Sequence, residues 1–154
     1  MRIHDWRTQQ TLLNGVPVTN WAPGDDVFKA ERRGDIGTDE IGADGRMTLS
    51  LNPDKSGEVT IKLSQLSPTN AFLQKLAQSE DHVETFIPIV LTQMDPRRND
   101  GVVTEPGYMK KPAPYQRGVK ANVTEWTFVF PTYFAELGDP SFPGTPAALA
   151  ESLG

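Results

Sequence analysis

The sequence predicts a mainly β fold of about six to eight strands with one well-marked helix. Three observations carry this. Residues 47–51 and 59–63 alternate apolar and polar side chains with the period of two expected of strands with one dry face. The 154-residue chain holds thirteen glycines and thirteen prolines, which favours short, often interrupted elements. Helical spacing behind a clear start signal occurs after Ser67-Pro68.

Each element follows in order. Asn14-Gly15 lies between two apolar runs and reads as a hairpin turn, because both residues readily take positive φ. Residues 27–32 read as a short strand. Residues 33–46, "RGDIGTDEIGADGR", read as a long loop. The surrounding stretch 25–45 carries the acids Asp25, Asp26, Glu31, Asp35, Asp39, Glu40 and Asp44 against the bases Lys29, Arg32 and Arg33. A loop of this length inside a compact domain is usually functional or ordered by a partner. Met47, Leu49 and Leu51 form one strand, and Val59, Ile61 and Leu63 another. "NPDKSG" between them is read as the turn of a hairpin joining the two.

A helix is expected over about residues 68–79, with Ser67 as cap and Pro68 in the first turn, where its missing N–H costs nothing. Phe72, Leu73, Leu76 and Ala77 share its apolar face. Residues 86–94 read as a nearly continuous apolar strand buried on both faces, with Pro88 near an edge or bulge. Residues 95–101 are a turn, 102–110 a strand and 121–130 the last strong strand. The reading divides the chain into one β domain, 1–134, and an extended C-terminal arm, 135–154, with a short helix over 146–153.

Composition narrows the function. Fifteen bases and twenty acids give a net charge of −5, which argues against tight non-specific grip on nucleic acid. The absence of cysteine excludes disulfides, thiolate catalysis and cysteine-based zinc sites. The opening residues lack a signal-peptide pattern and no long apolar run follows, so a soluble cytoplasmic product without a membrane anchor is expected.

The search for chemistry yields no catalytic, cofactor-binding or metal-binding residue. His4 beside Asp5 and His82 after Asp81 lie in polar stretches and read as solvated; a hydrolase built on either would need a nucleophile in hydrogen-bond reach. The acids over 35–44 lack the spacing of a calcium loop, and the nearby glycines form neither GxGxxG nor a P-loop. Trp126, Phe128 and Phe130 share one strand face and read as core. The alternative is a small β-barrel that stacks single-stranded nucleic acid on them. Residues 106–120 carry Lys110, Lys111, Arg117 and Lys120 with no acid, which suits phosphate or the acidic loop of a neighbouring copy.

The order "IGADGRMTLSLNPDKSGEVTIKLSQLSPTNAFLQKL", then "KKP" and "VTEWTF", resembles tail tube proteins of contractile-tailed bacteriophages. The likeness is to small phage structural proteins with a "DKSG…SPxNxxL" core, over roughly residues 10–130. The resemblance implies a β-sandwich or barrel with one flanking helix, similar to the type VI secretion tube. It implies a virion structural protein of the tail, made in the host bacterial cytoplasm, whose copies form hexameric rings stacked into a hollow tube. Its partners would be other copies of itself, the tail sheath, and baseplate, initiator and terminator proteins, with DNA passing the lumen unbound. Under that expectation Arg32, Arg33, Asp35, Asp39, Glu40 and Asp44 make ring-to-ring contacts, and Lys110, Lys111 and the tail are partner surfaces.

Overall fold

The computed structural model describes residues 4–96 and 100–136. A 3-10 turn, Trp6–Thr8, leads into β1 (Gln10–Leu13) and β2 (Val16–Pro17). There follow β3 (Phe28–Arg32), β4 (Gly37–Ile41), β5 (Met47–Leu51), β6 (Gly57–Ser64) and α1 (Thr69–Glu80). The described residues continue through β7 (Leu91–Asp95), β8 (Asp100–Thr104), β9 (Tyr108–Lys111), β10 (Val123–Phe130) and β11 (Tyr133–Glu136). The expected β-rich architecture is present. One sheet has five strands in the order β11-β8-β7-β1-β2, a second has four in the order β3-β6-β10-β9, and β4-β5 form a separate pair. Among the described residues every strand pairing is antiparallel.

The two larger sheets face each other over one core. Leu13, Ile89, Leu91 and Val102 enter it from one side, and Val59, Ile61, Leu63, Trp126, Phe128 and Phe130 from the other. Helix α1 adds Leu73 and Leu76. The result is a β-sandwich with a flanking helix. The Asn14-Gly15 turn has φ of 52° and 82°, the left-handed values its sequence invites.

The start of α1 is a polar lock. The Ser67 hydroxyl accepts from Thr69 N at 3.3 Å and donates to Thr19 O at 2.5 Å. Thr69 Oγ1 accepts from Thr19 N. Asn70 reaches further. Its amide N donates to Ser64 O and Gln65 O, while its Oδ1 accepts from Thr124 Oγ1 at 2.8 Å and from the Trp126 indole at 3.0 Å. One side chain thus joins the helix to β6 and β10 and satisfies the buried indole N–H.

Several expectations need correction. The hairpin of residues 47–51 with 59–63 does not form: β5 pairs with β4, and β6 pairs with β3 and β10. Residues 33–46 are not one long loop, because β4 lies within them. The span 86–94 is not a continuous strand buried on both faces. A 3-10 turn (Val83–Thr85) precedes it, Pro88 interrupts it, and Phe86, Ile87 and Val90 are exposed while Ile89 and Leu91 are buried. The expected strand 102–110 is two strands, β8 and β9, parted at Pro106. Ala135 and Glu136, assigned to the arm, belong to β11 and pair with Val102 and Gly101. The rest of the arm, with its short helix, and residues 97–99 of the expected turn lie outside the described residues.

Asn70→Ala should lower unfolding stability by about 1–3 kcal/mol in a denaturant melt, because it leaves the Trp126 N–H buried without an acceptor.

Candidate assembly site

The site grows out of the four-stranded sheet. Residues 33–36 carry the chain away from the end of β3, and residues 52–56 bring it back to the start of β6. Between them β4 and β5 pair in register from Gly37↔Leu51 to Ile41↔Met47. This β4–β5 ribbon is termed the arm, as distinct from the expected C-terminal arm. Its principal contacts run between its own two strands.

The base of the arm is tied by hydrogen bonds. Arg33 N donates to Ser56 O at 3.0 Å, and Asn52 N donates to Ile36 O at 2.9 Å. The Asn52 amide donates to Asp35 O, and its Oδ1 accepts from Asp54 N. The Arg32 guanidinium donates to Asp54 O at 3.1 Å. Asp54 Oδ1 accepts from Ser56 N at 2.9 Å, and contact with Ser56 holds the Asp54 carboxyl below the usual carboxylate range. The "NPDKSG" segment is therefore the clamp at the root of the arm, not a hairpin turn.

The tip is the true turn. Gly42 N donates to Arg46 O at 2.8 Å, Gly45 N donates to Gly42 O, and Gly45 has φ of 83°. This is a type I turn closed by a left-handed glycine. Gly37 is required at the other end: a β carbon there would sit 2.6 Å from Ser50 O.

The pleat sorts the arm's side chains. Ile41, Asp39, Met47, Leu49 and Leu51 lie on one face, and Thr38, Glu40, Thr48 and Ser50 on the other. Ile41 is 63% exposed, Met47 64%, Leu49 58% and Leu51 70%. Four large apolar side chains in one row, open to water, mark a surface built to be covered. The sequence reading assigned Met47, Leu49 and Leu51 a dry face; in the isolated chain that face is wet.

The acids read as contact residues cluster on this arm. Asp35 is at its root, Asp39 and Glu40 on β4 and Asp44 at the tip, where it faces Arg46 at 3.6 Å. Arg33 leaves β3 at the root. Arg32 lies at the same root, but its guanidinium is engaged by its own chain. Lys110 and Lys111 are not brought to this group. They lie on β9, across β6 and β10 from β3, and Lys110 meets Glu58 at 3.3 Å.

The margins of the four-stranded sheet differ. Lys62 N bonds Val27 O and Arg33 N bonds Ser56 O, so the alternate backbone groups of Phe28, Ala30 and Arg32 point away from β6 at the sheet edge. At the opposite margin, Met109 N donates to both Glu80 oxygens, at 2.9 and 3.1 Å. Partial burial raises the Glu80 carboxyl above its usual range, against the lowering effect of that N–H.

Trp126, Phe128 and Phe130 are interior, so they offer no platform for stacking bases. His4 and His82 are exposed. Among the described residues no three His, Asp or Glu side chains gather as a metal site, and no helix is long and apolar enough to cross a membrane.

A family model described as bacteriophage PhiTE tail tube protein matches residues 18–138, which takes in the arm and the whole of the four-stranded sheet. No curated protein matches the chain.

Asp54→Ala should loosen the arm alone: amides of 37–51 exchange faster at neutral pH, while the melting transition of the body stays at its wild-type position. The Asp54 contribution is complete above the ordinary carboxylate range and is lost as pH falls through its lowered pKa, so wild type and variant should converge in acid.

Proposed function

The chain belongs to the bacteriophage PhiTE tail tube protein family, and from that membership we propose that it is the tube protomer of a contractile-tailed phage. Six copies form a ring, rings stack into a hollow tube, and DNA passes through the bore during ejection. The sheath, the baseplate or initiator complex and the terminator bind the tube from outside and at its ends. The protein works by assembly, without turnover, and its place is the virion tail.

The observation that carries this reading is the arm: a ribbon braced at its root whose row of Ile41, Met47, Leu49 and Leu51 is exposed among the described residues. Burying such a row against a neighbour is favourable at roughly 25 cal/mol per Å² of apolar surface. We assign the contact between rings to this row, with Asp35, Asp39, Glu40 and Asp44 around it and Arg33 at its root. The open margin of β3 supports closure within a ring. The backbone groups of Phe28, Ala30 and Arg32 face away from β6 there, whereas the outer margin of β9 is already engaged at Met109 by Glu80. Lys110 and Lys111, on β9, are left as partner surfaces away from that margin.

Charge supports passive conduction. The chain carries −5 overall, Lys62 is bonded to Asp26 at 2.8 Å, and Lys110 faces Glu58. Cations engaged in this way add little affinity for a phosphate backbone, and low affinity lets DNA slide.

Negative-stain microscopy of concentrated protein, alone and with an initiator complex, tests the reading. Rings or tubes are expected. The double variant Met47→Asp and Leu49→Asp should keep the wild-type melt and form neither. A wild-type protein that stays monomeric under both conditions would refute the assignment.

A further inference from the structure

The two ends of the four-stranded sheet differ in a way that identifies the seat of the arm. The arm leaves from the end where β6 begins, beside Arg32, Gly57 and Phe130. The other end lies the length of β6 away, eight residues or about 26 Å. There β6 finishes at Ser64 opposite Val123. Gln65 closes a loop over this end: its amide N donates to Gln116 O at 3.0 Å and its Oε1 accepts from Asn122 N at 3.0 Å. Residues 117–121 are thus pinned at the neck.

That loop end repeats the composition of the arm with the opposite sign. Val119 is 107% exposed and Leu66 78%, and Val123 is exposed beside them. Residues 112–122 contain Arg117 and Lys120 and no acid. The arm and its root, residues 33–56, contain the five acids Asp35, Asp39, Glu40, Asp44 and Asp54 against the three bases Arg33, Arg46 and Lys55. Each end offers uncovered apolar side chains with charge that complements the other.

We propose that the arm of one copy seats on the loop end of a second copy, with Leu49 and Met47 against Leu66, Val119 and Val123, and with Asp39, on the same face of the ribbon, facing Arg117 and Lys120. This rests on the tube reading and adds the receiving surface to it. The occupant is a second copy because both halves of the match are on one chain. Since the halves lie at opposite ends, the contact is head-to-tail and does not close on itself, so it propagates as a filament.

The chain has no cysteine, so introduced thiols report without background. The variant carrying both Leu49→Cys and Val119→Cys, treated with a short bis-maleimide at assembling concentration, should give a ladder of covalent oligomers on a denaturing gel. An equal mixture of the two single variants should stop at a dimer, and each single variant alone should give no more than trace dimer. A second arm uses charge. Arg117→Glu with Lys120→Glu should slow assembly at low salt by about tenfold, and adding Asp39→Lys should restore much of it. Tubes visible by microscopy without the ladder, or a charge reversal that leaves the rate unchanged, would overturn this seat and leave the tube reading standing. Absence of both tubes and ladder would overturn both.

Discussion

Strand β6 is the constraint on which the rest of the molecule depends. It pairs with β3 along one side and with β10 along the other, over eight register positions in the second case. Val59, Ile61 and Leu63 are fully buried beneath it. A slip of one residue would turn all three to solvent and bring Thr60 and Lys62 inside, so burial fixes the register firmly. Both ends of β6 are then placed by that register. Its beginning roots the arm, and its end holds the loop neck through Gln65 and the helix through Asn70.

This explains why the stretch from Leu51 to Leu76 is rich in structural signals and poor in reactive groups. Asp54 and Asn52 close backbone donors and acceptors at the arm's root. Ser67, Thr69 and Asn70 tie the start of α1 to β6, β10 and Thr19. Polar residues that would be candidates for chemistry elsewhere are consumed by backbone groups here. A wall needs rigid geometry at its joints, and charge-assisted or buried hydrogen bonds supply it.

Much of the sandwich was legible in the sequence because burial writes a pattern. The period of two in 59–63, the run 121–130 and the Asn14-Gly15 turn each correspond to an element, as does the helix behind Ser67-Pro68. The arm was misread for the converse reason. Gly37–Ile41 contains a glycine and two acids and meets no core, so it shows no dry face. Met47–Leu51 does alternate, and alternation normally means burial within the chain; here its apolar row is bare. The Asp44-Gly45 pair was a hairpin signal in plain view, overshadowed by the charge and glycine around it. Pro88 and Pro106 broke strands that hydropathy alone ran together. The candidate acids did fall on the arm. That the apolar row is bare, and the seat on Leu66, Val119 and Val123, could not be read from spacing, because exposure depends on which elements fail to cover a residue.

The root clamp also makes the arm a lever. Five paired positions extend it about 17 Å from Gly37. With Arg32, Asn52 and Asp54 stiffening the fulcrum, a tilt of about 10° at the root sweeps the tip by roughly 3 Å, near a whole residue rise along a strand. Torque applied at either extremity is therefore felt at the other, and small rotations of the sheet translate into step-sized displacements far from it.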